Sequence, residues 1–543
     1  MKVSSLLTAS AFAAGAVAQA FEDVDFNVTE ALLQNHFDVT LAPELLEFVN
    51  NGQLGSKRSL PEPCATACKS LKAVYGSSKL ISQGTTEYTA FQAAYWSNQQ
   101  ASVSPRCVFK PSEPIEVSST VLISRLTQCP FAVRGGTHAS FAGASSIEGG
   151  ITLSMENLNQ IKVSSDKKTV DVGPGNRWAS TYQALENHGL AVVGGRMSPV
   201  GVPGLVLGGG FSFFSNKLGW ACDNVAAFEV VTASGRIITA NATLFPDLYW
   251  ALRGGGNNFG IVTNFKLYAF EQGKMWGGQR IYAENQFEKV KDAIFKFGNE
   301  TSSTDTDAAQ IVSFAAIPRL GNVAITQLHY AKPVASAPIF SDFNVIPAIS
   351  DNTDVRLLSE LAILMNEGSH DTGLRQVMWD VTFKLDRGIF DFLTATFFAA
   401  VPSLSDVEGL FAAISIQAIT EGQLTGMQRN GGNALGLKPE KGPFFIMNMG
   451  SSWTNPTDDS RLYKFLNDIT ETVKAYAKSK GIDNDFVYLN YASEFQDPIA
   501  SYGADNVERL RAISRKYDPG QVFQRLQPGG FKLSGGPPNQ SEP

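Results

Sequence analysis

The chain has 543 residues, with 44 Lys and Arg against 51 Asp and Glu, a net charge of −7, 43% hydrophobic residues and only 17% charged. That length suits two domains with cores that fold without staples, and the acidic balance lacks the basic footprint of a nucleic-acid binder. Five scattered histidines leave little for a His-built metal site, and the motifs of zinc proteases, α/β-hydrolases and P-loop nucleotide hydrolases are absent.

Met1-Lys2 precedes an apolar stretch from Leu6 to Val17 that ends in Ala16-Val17-Ala18-Gln19-Ala20. A positive start, a short apolar centre and an A-x-A end are what signal peptidase reads. Residues 1–20 are therefore expected to be a secretory signal, cut after Ala18 or Ala20, with an extracellular product and no membrane anchor. Secretion makes Asn27, Asn241, Asn299 and Asn539 glycosylation acceptors, each in an Asn-x-Ser/Thr sequon.

A polar, helical leader runs to about residue 60. Of the five cysteines, Cys64, Cys68, Cys107 and Cys129 lie close enough for two disulfides. Cys64 and Cys68 share one helical turn, so each is expected to pair with Cys107 or Cys129, the connectivity staying open. Cys222 is left as a buried thiol.

From about 100 to 270, short β-branched runs alternate with glycine clusters. Residues 107–110, 131–134, 150–153, 169–172, 226–231 and 236–240 read as strands, and 179–187 as a helix between two of them. Past Phe270 the segments lengthen. Residues 279–283, 324–330 and 376–383 read as strands of one larger sheet, and 285–297 and 404–418 as helices. In the tail, 485–492 reads as a strand, and Asp505 caps a helix with Val507, Leu510 and Ile513 on one stripe, stopped by Asp518-Pro519-Gly520. The fold class is α+β, with residues 60–275 as one domain, 276–480 as a second, and 481–533 returning to complete the first.

Three glycine clusters carry the chemistry. They are Arg134-Gly135-Gly136-Thr137-His138-Ala139-Ser140, the run from Gly195 to Phe211, and Arg253-Gly254-Gly255-Gly256-Asn257-Asn258-Phe259-Gly260-Ile261-Val262. Glycine-rich loops bring backbone N–H groups close to an anion, and three in one domain suit a long, negatively charged dinucleotide. Gly173-Pro174-Gly175 follows a strand, but Trp178 stands where a Rossmann fingerprint needs its third glycine, so the nucleotide is expected to be held by loops along its length.

These clusters in this order, with Tyr488-Leu489-Asn490-Tyr491 and Tyr517-Asp518-Pro519-Gly520 in the tail, resemble the berberine-bridge-enzyme-like flavoproteins of the vanillyl-alcohol-oxidase / p-cresol-methylhydroxylase (PCMH) superfamily. The resemblance covers about residues 60 to 533. It implies a PCMH-type, two-subdomain FAD-binding domain and a substrate domain built on a large antiparallel sheet. Implied FAD-binding residues are Arg134, Gly135, Gly136, Thr137 and Ala139 in the first loop, and Val200, Gly201, Gly204, Gly208 and Gly209 in the second. The third loop adds Asn258, Gly260, Ile261 and Val262, and the tail Asn490.

By the same resemblance His138 bonds covalently to the flavin 8α-carbon. Relatives often add a cysteine link where Met197 stands here, so a single covalent bond is expected. Thr137 replaces the usual glycine, and φ > 0 there would be costly. Tyr491 corresponds to the catalytic base. A phenol needs nearby positive charge or donor hydrogen bonds to act near neutrality, and strand alternation would put Tyr488 and Asn490 on the face opposite Tyr491. Val200 stands at a position where a small side chain admits O2, which favours an oxidase making H2O2. His329 and Tyr330 are candidate pocket residues, more simply read as an ordinary sheet face.

The resulting expectation is a secreted, monomeric oxidase acting on an alcohol or activated C–H of a secondary-metabolite-type small molecule. The alternatives are a sugar-to-lactone oxidase and a flavin-loaded binding protein without turnover.

Overall fold

The computed structural model describes residues 21–22, 26–54, 62–317, 320–367, 372–541 and 543; the expected signal peptide lies outside them. Three sheets follow one another along the chain. The first holds β1 (Leu80–Ser82), β2 (Cys107–Phe109), β3 (Phe131–Arg134) and β4 (Ile151–Ser154) in the order β1-β2-β4-β3, with β4 parallel to both neighbours. Helices Pro63–Tyr75 and Pro114–Thr127 pack on it, burying Leu71, Val117 and Val121 against Phe109 and Leu153.

The second sheet is antiparallel, with β5 (Ile161–Val163), β6 (Thr169–Val172), β7 (Leu190–Val192), β8 (Val225–Val231), β9 (Ile237–Asn241) and β10 (Ile261–Glu271). The long β10 pairs with β6, β7 and β8 at once. The core of this sheet also takes in Leu510, Ile513 and Tyr517 of the helix Ala504–Tyr517, so the end of the chain packs back on residues some 250 positions earlier.

The third sheet runs from β11 (Met275–Ala283) through β12 (Ala308–Ile317), β13 (Gly321–Tyr330), β14 (Ser350–Asp351), β15 (Asp354–Arg356), β16 (Arg375–Lys384), β17 (Phe411–Ile419) and β18 (Phe444–Trp453) to β19 (Asp483–Asn484). Its order is β14-β11-β13-β12-β17-β18-β16-β19, with β15 on β11. One face is closed by helices Phe287–Lys296, Gly388–Ala400 and Asp459–Lys480 over Val312, Ile414, Met447 and Trp379. Strand alternation turns Met378, Gln417 and His329 to the other face, toward the second sheet. The expected strands at 107–110, 131–134, 150–153, 169–172, 226–231, 236–240, 279–283, 324–330 and 376–383 all fall on strands, and 179–187 and 285–297 on helices.

Three local readings are corrected. Residues 404–418 are not a helix: β17 occupies 411–419, wedged between β12 and β18 and buried on both faces. A strand covered on both sides loses its alternation and mimics a buried helix segment. Residues 485–492 are not a strand. Pairing stops at β19, because the Tyr488 N–H is taken by the Asp380 side chain at 2.8 Å and the Tyr491 N–H folds back onto the Tyr488 carbonyl. The helix Ala504–Tyr517 is capped by Gly503, which leaves Asp505 inside its first turn.

The cysteine pairs are Cys64–Cys129 and Cys68–Cys107, and Cys222 is a buried free thiol. The bridges tie the helix Pro63–Tyr75 to the first sheet across separations of 65 and 39 residues. Replacing either pair by serine is expected to cost about 2–5 kcal/mol, read as a fall in Tm. An unchanged Tm would deny the bridges a stabilising part.

Candidate active site

The three glycine loops and the tail meet around one cavity of about 330 Å³. The first loop leaves β3 and touches the second backbone to backbone: a Cβ on Gly136 would lie 2.1 Å from Gly201 N, and one on Gly201 2.4 Å from Gly136 N. Only glycine at both positions permits that approach. The third loop is tied to the second by the Gly254 and Gly256 N–H groups, both donating to the Leu207 carbonyl at 3.0 Å. The tail locks in through Asn490, whose Nδ2 donates to the Leu205 carbonyl and to the Tyr488 hydroxyl, while the Gly210 N–H donates to that same hydroxyl.

In the first loop, Thr137 adopts φ of 68°, the conformation its side chain resists; such a residue stores about 1–3 kcal/mol. Its neighbours enforce it: the Thr137 hydroxyl donates to the Ala94 carbonyl, and the Trp96 N–H and Gln100 Nε2 donate to the Thr137 carbonyl. The N–H groups of Gly136, Thr137, His138 and Ala139 donate to no acceptor among the described residues. Successive unfilled amides around a cavity make an anion nest.

His138 lines the cavity with its ring stacked on Trp96, centroids 4.1 Å apart and planes 14° apart. Burial pushes its imidazole down to about 4, so the ring is neutral, and Nε2 has no hydrogen-bond partner. A neutral, fixed imidazole with a free nitrogen is competent as a nucleophile.

Across the cavity stands Tyr491. Arg196 Nη2 donates to Tyr491 Oη at 2.9 Å, Gln417 Nε2 donates to the same oxygen at 3.2 Å, and Arg196 Nη1 closes the ring by donating to Gln417 Oε1 at 2.6 Å. The Tyr491 ring is flanked by Tyr488, at 4.9 Å, and Phe211, at 6.2 Å. Phe211, Met197 and Met378 complete the neighbouring wall.

Of the expected site residues, His138, Gly135, Gly136, Thr137, Ala139, Val200, Gly201, Gly204, Gly208, Gly260, Ile261, Val262, Asn490 and Tyr491 all line this cavity. Tyr488, Asn490 and Tyr491 line it together, against the expectation of opposite faces, because they sit on a turn rather than a strand.

Three expected residues stand elsewhere. Arg134 is buried with its guanidinium 3.8 Å from the Phe91 ring and 4.5 Å from Tyr95, a cation–π clamp behind the loop. Gly209, at φ of 127°, makes a turn against Trp220 and Tyr488. Asn258 Nδ2 donates to the carbonyls of Gly255 and Phe531, stapling the third loop to the tail. His329 packs on Phe213 and Tyr330 donates to Asp305; neither lines the cavity. Sequence reasoning missed Arg196 and Gln417. Arg196 is the sole charged residue in the run from Val193 to Phe214, and a charge inside a glycine-rich apolar segment was the available signal.

A family model of an FAD-binding domain matches residues 105–241, and one described as berberine and berberine-like matches 487–528. The chain is 36% identical over 498 residues to the FAD-dependent monooxygenase FUP4 of Fusarium proliferatum, covering 87% of this chain and 94% of the relative. It is 38% identical over 454 residues to the FAD-dependent monooxygenase tpcD of Cochliobolus heterostrophus, covering 81% and 87%. Its fold matches that of glucooligosaccharide oxidase from Acremonium strictum, a protein with a 6-S-cysteinyl, 8α-N1-histidyl FAD, at a TM-score of 0.69 and 18% identity, covering 85% and 97%.

Proposed function

The chain belongs to the berberine-bridge-like family of FAD-linked oxidoreductases, and on that premise we propose that it is a secreted, monomeric oxidase converting an alcohol or activated C–H of a neutral secondary-metabolite-type substrate. The observation that carries this reading is the convergence of a neutral His138, whose Nε2 has no hydrogen-bond partner, and a doubly hydrogen-bonded Tyr491 on one cavity.

The residues fit FAD. The amides of Gly136 to Ala139 offer the pyrophosphate unfilled donors, and a Cβ on Gly204 would meet no protein atom within 4 Å, so the backbone there leaves room for a ligand. His138 is the covalent anchor, and Met197, a thioether on the cavity wall, leaves that anchor single. When bound, FAD supplies the hydride acceptor and passes the electrons on. Tyr491 takes the substrate's hydroxyl proton, and Val200, small and on the wall, keeps a path for O2.

Phe211, Met197 and Met378 line the cavity with Tyr491, no carboxylate does, and the charged side chain on its wall, Arg196, is engaged by Tyr491 and Gln417, which favours an aromatic or allylic alcohol over a sugar. The two disulfides suit an oxidising compartment, and no helix among the described residues is long and apolar enough to cross a membrane.

A panel of aromatic alcohols, allylic alcohols and oligosaccharides mixed anaerobically with the yellow holoprotein tests this reading. Bleaching by the alcohols, followed in air by one H2O2 per product, is expected. Bleaching by sugars alone would replace the substrate class. Incorporation of an atom from labelled O2 would make the protein a monooxygenase, the activity for which FUP4 and tpcD are named. No bleaching by any of them would leave a flavin-loaded binding protein.

A further inference from the structure

A phenolic oxygen donates one hydrogen bond and accepts two. At Tyr491 both acceptor positions are filled, by Arg196 and by Gln417, so its own hydrogen has one direction left, the cavity. The Arg196 guanidinium pairs with no carboxylate among the described residues. Its acceptors are Tyr491 Oη and Gln417 Oε1, and its carbon lies 5.4 Å from the Phe211 ring centroid. The bond from this half-buried cation to the Tyr491 oxygen is a charge-assisted one.

The other titratable groups near Tyr491 do not compete. Tyr488 is buried, its hydroxyl accepting from Gly210 and Asn490 and pushed further from ionisation by burial. Asp380, beneath the Tyr488 N–H, is pushed well above the usual carboxylate range by burial. His329 is driven down to about 3 by burial and is neutral.

We propose that Arg196 is the positioning residue that makes Tyr491 a proton acceptor, with Gln417 fixing the angle between them. This rests on the reading of Tyr491 as the base and adds the group that makes it one. In the step it serves, Tyr491 starts as the phenolate, its own proton already given up to solvent, so the position facing the cavity is an acceptor; the substrate O–H bond breaks and its proton goes to that position on Tyr491 Oη. FAD, when bound, would accept the hydrogen on the same carbon with its electron pair, a two-electron oxidation of the alcohol to a carbonyl balanced by two-electron reduction of the cofactor. The arginine stands one residue before Met197, where relatives often place a second flavin link; here that loop contributes a charge to the base.

The test uses the holoprotein and the rate of anaerobic flavin reduction against pH. Arg196→Gln keeps a donor and removes the charge. It is expected to slow reduction about 10- to 100-fold, with the rising limb of the pH profile moved to higher pH, and millimolar guanidinium is expected to restore rate. Gln417→Glu, close to isosteric, places a negative charge against the Arg196 guanidinium and is expected to move the same limb the same way; it decides the question if Arg196→Gln does not fold. A limb that stays in place, or Arg196→Gln unmoved by guanidinium, overturns the proposal while leaving the base assignment intact. A Tyr491→Phe variant that reduces flavin at the native rate overturns the assignment beneath it instead.

Discussion

Replacing Tyr491 by phenylalanine is expected to slow flavin reduction about 10²- to 10⁴-fold, the range that a positioned general base contributes, while flavin content, absorbance and covalent attachment stay native. The ring survives the change, so its contacts with Phe211 and Tyr488 survive too, and substrate affinity is expected to hold. What disappears is the oxygen on which Arg196 and Gln417 converge. Two donors then lose their acceptor, costing about 1–3 kcal/mol of stability, visible as a modest drop in Tm. Rapid-mixing anaerobic reduction separates the two effects, because the chemical step is read directly. A reduction rate within twofold of the native protein would remove Tyr491 from the chemistry.

The glycine loops were legible in the sequence because their requirement is local. A backbone that must touch another backbone, as Gly136 touches Gly201, or that must take positive φ, as Gly260 does at 151°, leaves glycine little alternative. The cysteine partners could be grouped from spacing, but the choice of Cys64–Cys129 over Cys64–Cys107 needed the approach of the helix to the sheet. The network at Tyr491 was illegible for a different reason. Its members, at 196, 417 and 491, come from a glycine loop, a central strand and a tail turn, and no spacing relates them. Gln417 was hidden further by the reading of 404–418 as a helix, since only as part of β17 does it share a face with Met378. Arg134 was chosen for its place beside the loop, where sequence could not show that Phe91 and Tyr95 offer its guanidinium two ring faces.

Replacing His138 by alanine is expected to release all of the flavin into the supernatant when the protein is precipitated with acid, whereas the native protein, on the proposed linkage, is expected to keep its colour in the pellet. Three observations make that outcome sharp. The imidazole is neutral, because burial holds it down at about 4 against an ordinary 6.5, so its nitrogen lone pair is free above roughly pH 5. The Trp96 ring stacked on it fixes the plane of attack, and the loop beneath is held in a strained conformation at Thr137 by the Ala94, Trp96 and Gln100 contacts. Met197 stands where the resemblance would place a second, cysteinyl tether, so on the proposed single linkage the loss is expected to be complete rather than partial. The same burial sets a pH dependence in the flavin-free protein. With a folded value below the unfolded one, the unfolded chain binds the proton first, and the stability contributed by the neutral ring is lost as pH falls from about 6.5 through 4. His138→Ala should flatten that part of the Tm-against-pH curve in the apoprotein. Flavin that stays with the precipitated variant would mean that another side chain carries the link.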